Sequence, residues 1–536
     1  MKKEQLLDNS KKLLLGLIVY FILLIPQAFS LLNGQNKKNS LGDAEDADFL
    51  FKYQNYRDAI PIYLELHDKT PDNYLYNYRL GICYLNSNLN KAQALKYLKN
   101  CHVKNKNDLE LNFMLGRAFH LNLQLDSAVF YYNKFREFSG KKKNNLIKAD
   151  QGIKQAENAK ELIKRPVKVH FTNLGPNVNT EYPDYVPWVT SDERKVFFTS
   201  RRKDLHAREI ETDGYFASDI YYAEFINSKW EKAKILPGSG INTNLDEEIV
   251  GMRPDGDELI IYKDHIKDYG DLYYSLRHHN NYTVPKKYEP KINAELEFSG
   301  SISEDDQTLF FVRKSNLKNN NQDIYYCRRL PNGKWGLPTS AGEKINTNFN
   351  EDFPYLAMDG KTLYFSSEGH NSMGGFDLFK CIWDNETNTF SEPENLGYPI
   401  NTSDDEKNIS ILPDNRAGYI SAVRKEGIGD LDIYRIKFEE KEDPITIIKV
   451  DVVYSDSNSC SNYNTWIKIQ RKNDKKIIGQ YKPDQITGKC IFALTPGKYD
   501  VFIESEDYES IYESIDIPEV AATAHEEKKK YLLKKY

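Results

Sequence analysis

The pattern of apolar positions along this chain changes its period twice. From Asp46 to about Ser139 apolar residues return at helical spacing, which predicts amphipathic helices. From Val167 to Phe438 they gather instead into short aromatic runs separated by Asp, Asn and Gly, which predicts short strands and tight turns. From Ile445 the pattern alternates, as in Ile447-Ile448-Lys449-Val450-Asp451-Val452-Val453, and predicts strands again.

The middle stretch repeats itself. An Asp-apolar-aromatic triplet recurs at Asp219-Ile220-Tyr221, Asp271-Leu272-Tyr273, Asp323-Ile324-Tyr325, Asp377-Leu378-Phe379 and Asp432-Ile433-Tyr434. Each unit has an Asp turn (Asp192, Asp255, Asp305, Asp359, Asp414), an aromatic strand such as Leu363-Tyr364-Phe365, the triplet strand, and in most units a fourth strand with Trp or Phe before Pro. An Ile-Asn-Thr type turn closes the unit, as at Ile241-Asn242-Thr243 and Ile400-Asn401-Thr402. A period of about 50 residues built from short strands is the signature of β-propeller blades, which must stack in a ring to bury both faces of each sheet. Five triplets are followed by only four fourth strands in all. Asn173 to Thr180 mirrors Asn395 to Thr402, so Val167 to Leu174 is predicted to complete the last blade and remove the open edge of the ring.

In the helical stretch a longer period overlies the short one. Ala47, Gly81 and Gly116 take one small position, Ala59, Ala94 and Ala128 a second, and Tyr63, Tyr97 and Tyr132 an aromatic one. This resembles three tetratricopeptide repeats, with a one-residue departure around Ala92-Gln93-Ala94 and a capping helix over Leu146 to Ile163. Arg165-Pro166 marks the boundary with the strands. The tail, with Ile491 to Leu494, Pro496-Gly497 and Lys498 to Ile503 read as a hairpin, resembles the seven-stranded sandwich of carboxypeptidase regulatory-like domains. The expected organisation is a multidomain α and β protein: an export signal over 1–30, a helical solenoid over 46–164, a five-bladed propeller over 167–438 and a small β-sandwich over 445–536.

Composition adds limits. The hydrophobic content of 40% with 28% charged residues fits a soluble globular chain, and a net charge of −6 over 536 residues argues against nucleic acid as the main partner. Lys2, Lys3, Lys11 and Lys12 precede an apolar run from Leu13 to Ile25, with Ala28 and Ser30 after it. That run is shorter than the roughly 20 residues of a membrane span, so cleavage after export is predicted. Of the six cysteines, Cys327 and Cys381 occupy equivalent blade positions and are expected to be free buried thiols. Cys460 with Cys490 is the best candidate bridge.

No nucleophile elbow, zinc-binding helix motif or phosphate loop is present in the sequence, and no catalytic, cofactor or metal residue is assigned. His278-His279 reads as a solvated loop, and the triplet Asp residues read as acceptors for backbone N–H groups of the preceding turn. Two series are candidate protein-binding residues. Arg201, Lys263, Arg313 and Arg424 end the second strand of four blades, with Glu368 breaking the set. Glu181, Glu247, Glu295, Glu351 and Asp404 begin the next inner strands. In a propeller both sets lie around one channel mouth, either paired and solvated or forming a polar docking face for a peptide, glycan or cation. On the helices, Tyr78, Asn86, Phe113, Arg117 and His120 would line a concave binding groove.

The order of helical repeats, blades and sandwich resembles the periplasmic proteins of the OmpA-related family that accompany type IX secretion and gliding, with blades like those of the TolB family. The resemblance implies a non-enzymatic scaffold at the periplasmic face of the outer membrane. Its partners would be envelope proteins, such as an outer-membrane β-barrel or a secretion-complex subunit. The OmpA-like domain of that family is not found up to Tyr536, so peptidoglycan contact is not part of the expectation. The competing reading is a carbohydrate- or peptide-processing or -binding protein that uses Glu247 and Glu351 at the channel mouth.

Overall fold

Seven helices open the described chain: α1 (Ser40–Lys52), α2 (Tyr56–Lys69), α3 (Tyr74–Asn86), α4 (Ala94–Lys104), α5 (Leu109–Leu121), α6 (Leu125–Phe138) and α7 (Lys143–Ile163). The computed structural model describes residues 40–536 except 204–209, 265–269, 280, 315–320, 440–444, 457–463, 474, 485–486 and 518–524. The export segment and Cys460 therefore lie outside the described residues. Cys83, Cys101, Cys327, Cys381 and Cys490 are free and buried. Among the described residues no helix is long and apolar enough to cross a membrane.

Local chemistry starts the helices. Asn73 accepts from the N–H groups of Leu75 and Tyr76 at the start of α3, and Asp108 accepts from Leu111 N–H at 2.8 Å at the start of α5. Such caps satisfy N–H groups that have no partner within the helix. The small positions are where neighbouring helices touch. A Cβ on Gly81 would fall 2.4 Å from Leu98, and one on Gly116 would fall 2.6 Å from the Tyr132 ring. The irregularity at Ala92-Gln93-Ala94 is a single 3₁₀ turn, Lys91–Gln93, leading into α4.

Five antiparallel sheets follow. Sheet 1 is built on Asp184–Val189, Lys195–Ser200 and Asp219–Ile226. Sheet 2 uses Asp246–Met252, Glu258–Asp264 and Asp271–His278. Sheet 3 uses Leu296–Ile302, Thr308–Lys314 and Gln322–Arg328. Sheet 4 uses Glu351–Leu356, Thr362–Ser367 and Asp377–Asp384. Sheet 5 uses Ile409–Ile411, Ala417–Ala422 and Asp432–Phe438. Short outer strands complete sheets 1 to 4, whereas Val169–Asn173 supplies the outer strand of sheet 5, with Val169 opposite Phe438 and Asn173 opposite Tyr434.

Each sheet meets the next in chain order, and the fifth meets the first. Ile249 N–H donates to Thr199 Oγ1 at 3.1 Å, Leu356 N–H to Ser301 Oγ at 3.4 Å, Tyr355 Oη to Ile411 O at 3.0 Å, and Val189 N–H to Ser410 Oγ at 3.1 Å. Between sheets 2 and 3, Gly251 comes so close that a Cβ there would fall 2.0 Å from Gly300 O. Sheets 1 and 4 touch across the circuit, where the rings of Trp188 and Tyr355 meet edge to face at 5.7 Å. In sheets 1 to 4 the pairing of first and second strands shifts register at a bulge, for example between Asp352 and Tyr355. Bulges re-aim side chains and sharpen twist.

Two further sheets end the chain. Thr446–Tyr454 pairs antiparallel with Lys489–Leu494 and parallel with His525–Leu533. The other sheet orders Ile477–Tyr481, Thr465–Arg471, Gly497–Ser505 and Ile511–Ile517. Both contribute to one apolar core that includes Ile448, Phe492, Ile467 and Val501. The hairpin expected across Pro496-Gly497 is corrected here. The strands on either side belong to different sheets, so the turn carries the chain from one layer to the other.

Candidate functional site

The repeated polar residues converge at the turns that lead into the first strands. Each closing turn is tied to a triplet by an asparagine. The side-chain oxygens of Asn179, Asn242, Asn293, Asn346 and Asn401 accept from the N–H groups of Ile433, Ile220, Leu272, Ile324 and Leu378 at 2.7–2.9 Å. The amide nitrogens donate back to the carbonyls of the same residues. Each asparagine thereby satisfies both backbone groups of the apolar triplet residue at the centre of a buried sheet.

A carboxylate secures the same turn. Asp184, Glu247, Glu351 and Glu406 accept from the N–H and hydroxyl of Thr180, Thr243, Thr347 and Thr402. In sheet 3 an alanine stands at the threonine position, and Glu297 accepts from Ala294 N–H at 3.3 Å and Glu295 N–H at 3.2 Å. All five carboxylates are at most 3% exposed. Burial raises the pKa of Asp184, Glu297 and Glu406, and pushes Glu351 up to about 8, against the hydrogen bonds that favour the charged form.

A cationic or polar group on or just after the second strand completes each turn. Lys263 donates to Gly240 O and stands 3.4 Å from Glu247. Arg313 donates to Glu297 at 2.7 Å and to Lys291 O and Ile292 O. Arg202 bonds Val178 O and Asp184, and Arg424 donates to Pro399 O at 2.9 Å. Sheet 4 uses neutral groups: Ser367 donates to Glu351, and the His370 ring meets Ile345 O at 3.0 Å.

These contacts involve the two series expected either to be paired and solvated or to form a docking face. Lys263, Arg313, Arg424, Glu247 and Glu351 are engaged inside their own sheets. Arg201 is displaced from the series: it pairs with Glu211 at 2.7 Å and Asp213 at 2.5 Å, and Arg202 takes the turn. The pairing explains why. Lys263 and Arg313 stand opposite the triplet Asp, whereas Ser200 and Ala422 occupy that register in sheets 1 and 5. The basic residue two places on then reaches the same face. The acidic series is displaced likewise. Glu181 pairs with Arg57 at 2.9 Å and Asp404 with Lys91 at 2.5 Å, both on the helical layer, while Asp184, Glu297 and Glu406 hold the turns.

One residue beyond each buried carboxylate the side chain points the other way. Those residues are Tyr185, Glu248, Phe298, Asp352 and Lys407. All five line one cavity of about 450 Å³, with Val186, Val250, Tyr262 and Phe353 also on its wall. Tyr185 Oη donates to Glu248 Oε1 at 2.7 Å, and Asp352 Oδ1 accepts from Ser299 Oγ at 2.6 Å and Phe353 N–H at 2.8 Å. Burial raises the pKa of both carboxyls; Tyr185 and Ser299 oppose it by hydrogen bonding, and the nearby Lys407 charge by attraction. Asn88 and Lys91, from the helical layer, close part of the mouth.

The helix face that carries His120 packs against the sheets. His120 is 5% exposed and its Nε2 meets Met373 O at 2.9 Å. Met373 is fully buried in the same apolar cluster as Leu115 and Tyr132. Asn158 donates to Ser372 O at 2.9 Å, and Asn88 to Asp430 at 2.6 Å. This corrects the open groove: Phe113, Arg117 and His120 line a smaller cavity of about 330 Å³ whose other wall is Gly374, Gly375 and Asp405. Arg117 also donates to Asn86 at 3.2 Å, while Tyr78 stacks on Tyr74 at 6.0 Å.

No protein-family model and no curated protein matches the chain. Solved structures similar to it include a TolB protein of Agrobacterium tumefaciens, at 14% identity over 52% of this chain and 99% of that one, TM-score 0.28. An endo-arabinase of Bacteroides thetaiotaomicron is similar at 12% identity over 51% of this chain and 99% of that one, TM-score 0.32. Hydrazine synthase of Kuenenia stuttgartiensis is similar at 12% identity over 50% of this chain and 66% of that one, TM-score 0.28. At these scores the likenesses carry no argument, and the architecture rests on the strand pairing described above.

The cavity residues escaped sequence reading because they share no chemistry: Tyr, Glu, Phe, Asp and Lys occupy one structural position. The signal that finds them is positional, one residue after the Asp or Glu that follows each Ile-Asn-Thr type turn.

Proposed function

We propose that this chain is a non-enzymatic adaptor of the cell envelope, working in the periplasm at the outer membrane and possessing a tetratricopeptide-like solenoid, a five-bladed propeller and a regulatory-like sandwich. The observation that carries this reading is the clamp between solenoid and ring. The loop 368–375 of sheet 4 fills the concave helical face through His120, Asn158 and the buried Met373. A solenoid fixed in this way presents its remaining surfaces in one orientation relative to the ring, as a docking platform requires. A part in a type IX secretion or gliding assembly follows from the resemblance in module order.

A second reading is supported by the cavity: a carbohydrate- or peptide-binding protein whose ligand enters the channel mouth. Its residues would be Glu248 and Asp352, since Glu247 and Glu351 are engaged in their turns. Crosslinking of native envelopes followed by mass spectrometry tests the adaptor. Crosslinks from the helical layer or ring mouth to an outer-membrane β-barrel or secretion subunit are expected. Fractionation with cytoplasmic proteins, or turnover of a glycan or peptide that is lost in Glu248→Gln, would overturn it.

A further inference from the structure

We propose that the cavity ringed by Tyr185, Glu248, Phe298, Asp352 and Lys407 binds one organic cation, the ammonium end of a lysine side chain presented by a peptide. This rests on the reading of the ring as a docking module and names what the module recognises.

Three observations lead there. First, each carboxylate has one oxygen fixed and one available. Asp352 is 6% exposed; its Oδ1 is held by Ser299 and Phe353, and Oδ2 meets no partner among the described residues although it belongs to a residue of the cavity wall. Tyr185 holds Glu248 Oε1 in the same way, leaving Oε2. A buried carboxylate with an unmet oxygen is costly unless a donor arrives. Second, the cations nearby form no direct ion pair with these carboxylates, although Lys407 attracts both from a distance. Lys91 is paired with Asp404, and Lys407 Nζ lies over the Phe376 ring at 4.9 Å; among the described residues no ion pair joins Lys407 to Glu248 or Asp352. Third, part of the wall is aromatic, through Tyr185, Phe298 and Phe353, beside polar groups such as Asn88, Gln322 and Ser421. Aromatic faces favour a desolvated ammonium and cover its alkyl stem.

The size agrees. About 450 Å³ lies within the roughly 300–1,000 Å³ of small-ligand pockets, enough for a side chain and not for a folded domain. Asp404 and Asp405 also lie on the wall, but Asp404 is paired with Lys91 and Asp405 accepts from Phe376 N–H, and among the described residues no three acidic, His or Cys side chains are grouped to hold a metal ion, whereas a hard divalent ion takes about six or more oxygens. An ammonium needs three acceptors at most.

Titration calorimetry of the full chain with the peptide acetyl-Gly-Lys-Gly-amide, and with its norleucine counterpart, tests this. The lysine peptide is expected to bind and the norleucine peptide to bind roughly ten-fold or more weakly, the scale of a hydrogen-bonded charge. Asp352→Asn and Glu248→Gln should each weaken the lysine peptide by a similar factor. Because a buried substitution can unfold the ring, Lys407→Met serves as the second variant: removing that charge should tighten lysine binding. Equal binding of the two peptides, no binding of the lysine peptide at millimolar concentration, or no tightening in Lys407→Met would overturn the proposal. If those failures occur while envelope crosslinks persist, the adaptor reading stands and this assignment alone is lost.

Discussion

Replacing Asn401 by alanine tests whether the asparagine turns hold the ring together. Asn401 is fully buried. Its Oδ1 accepts from Leu378 N–H at 2.8 Å, and its Nδ2 donates to Leu378 O at 2.9 Å and Asn395 Oδ1 at 2.8 Å. In Asn401→Ala the Leu378 carbonyl keeps Leu396 N–H at 3.0 Å, but the Leu378 N–H loses its partner inside a sheet that water does not reach. A buried unmet donor costs about 1–3 kcal/mol, and each lost donation adds about 0.5–1.5 kcal/mol. After allowing for the side-chain freedom regained on unfolding, a loss of about 2–4 kcal/mol is expected. Because a chain of several modules does not unfold in one step, the readout is local. Hydrogen exchange at the Leu378 amide should accelerate, with peptides from sheet 4 affected before those from the helices. Asn401→Asp keeps the acceptor and should spare the Leu378 amide more than alanine does, while still destabilising through its buried charge. A loss below about 0.5 kcal/mol, the range of ordinary surface changes, with Leu378 exchange unaltered, would refute the role given to these turns.

Two other outcomes are expected. Burial pushes the pKa of His120 down to about 4, against an unfolded value near 6.5, so the unfolded chain takes up the proton first as pH falls. The clamp of helices on the ring should therefore be fully stable above about pH 6.5 and lose about 3 kcal/mol on approach to pH 4. The non-titrating His120→Gln variant should show a flatter pH dependence of its melting temperature. In the ring, Arg313→Met would leave the fully buried Glu297 without its cation and cost about 3–5 kcal/mol in chemical denaturation, and adding Glu297→Gln should recover a large part.

Local rules made much of this fold legible. The triplets mark the third strand of every sheet, and the mirrored segment at Asn173 to Thr180 points to the strand that closes sheet 5. The small positions at Gly81 and Gly116 are where helices meet. In the polar series Arg201, Glu181, Glu295 and Asp404 miss the turn positions by one to three residues, because those positions depend on bulges and on which residue stands opposite the triplet Asp. A residue two places along the strand replaces its neighbour without changing the composition of the motif, so Arg201 and Arg202 look alike in sequence. Groove residues such as His120 look open in sequence, because nothing in a periodic pattern encodes a partner that is 253 residues away. The turn across Pro496-Gly497 resembles a hairpin in sequence for the same reason: backbone angles fix a bend, and the sheet each arm joins is decided elsewhere.

The strand Val169–Asn173 gives the ring a mechanical seam. The chain enters the ring at Val169 and leaves it at Phe438, and these residues face each other at one end of an antiparallel pair. The helices precede one and the terminal sheets follow the other, so a pull between these flanking parts meets the seam at a single end. Load applied there opens the ladder one residue pair at a time, as a zipper, and never sets all five pairs in shear together. Under a pull between the flanking parts, the seam is where the ring itself opens first. The clamp around Met373 and His120 is then its strain relief, diverting force from the helices into sheet 4 before the seam is reached.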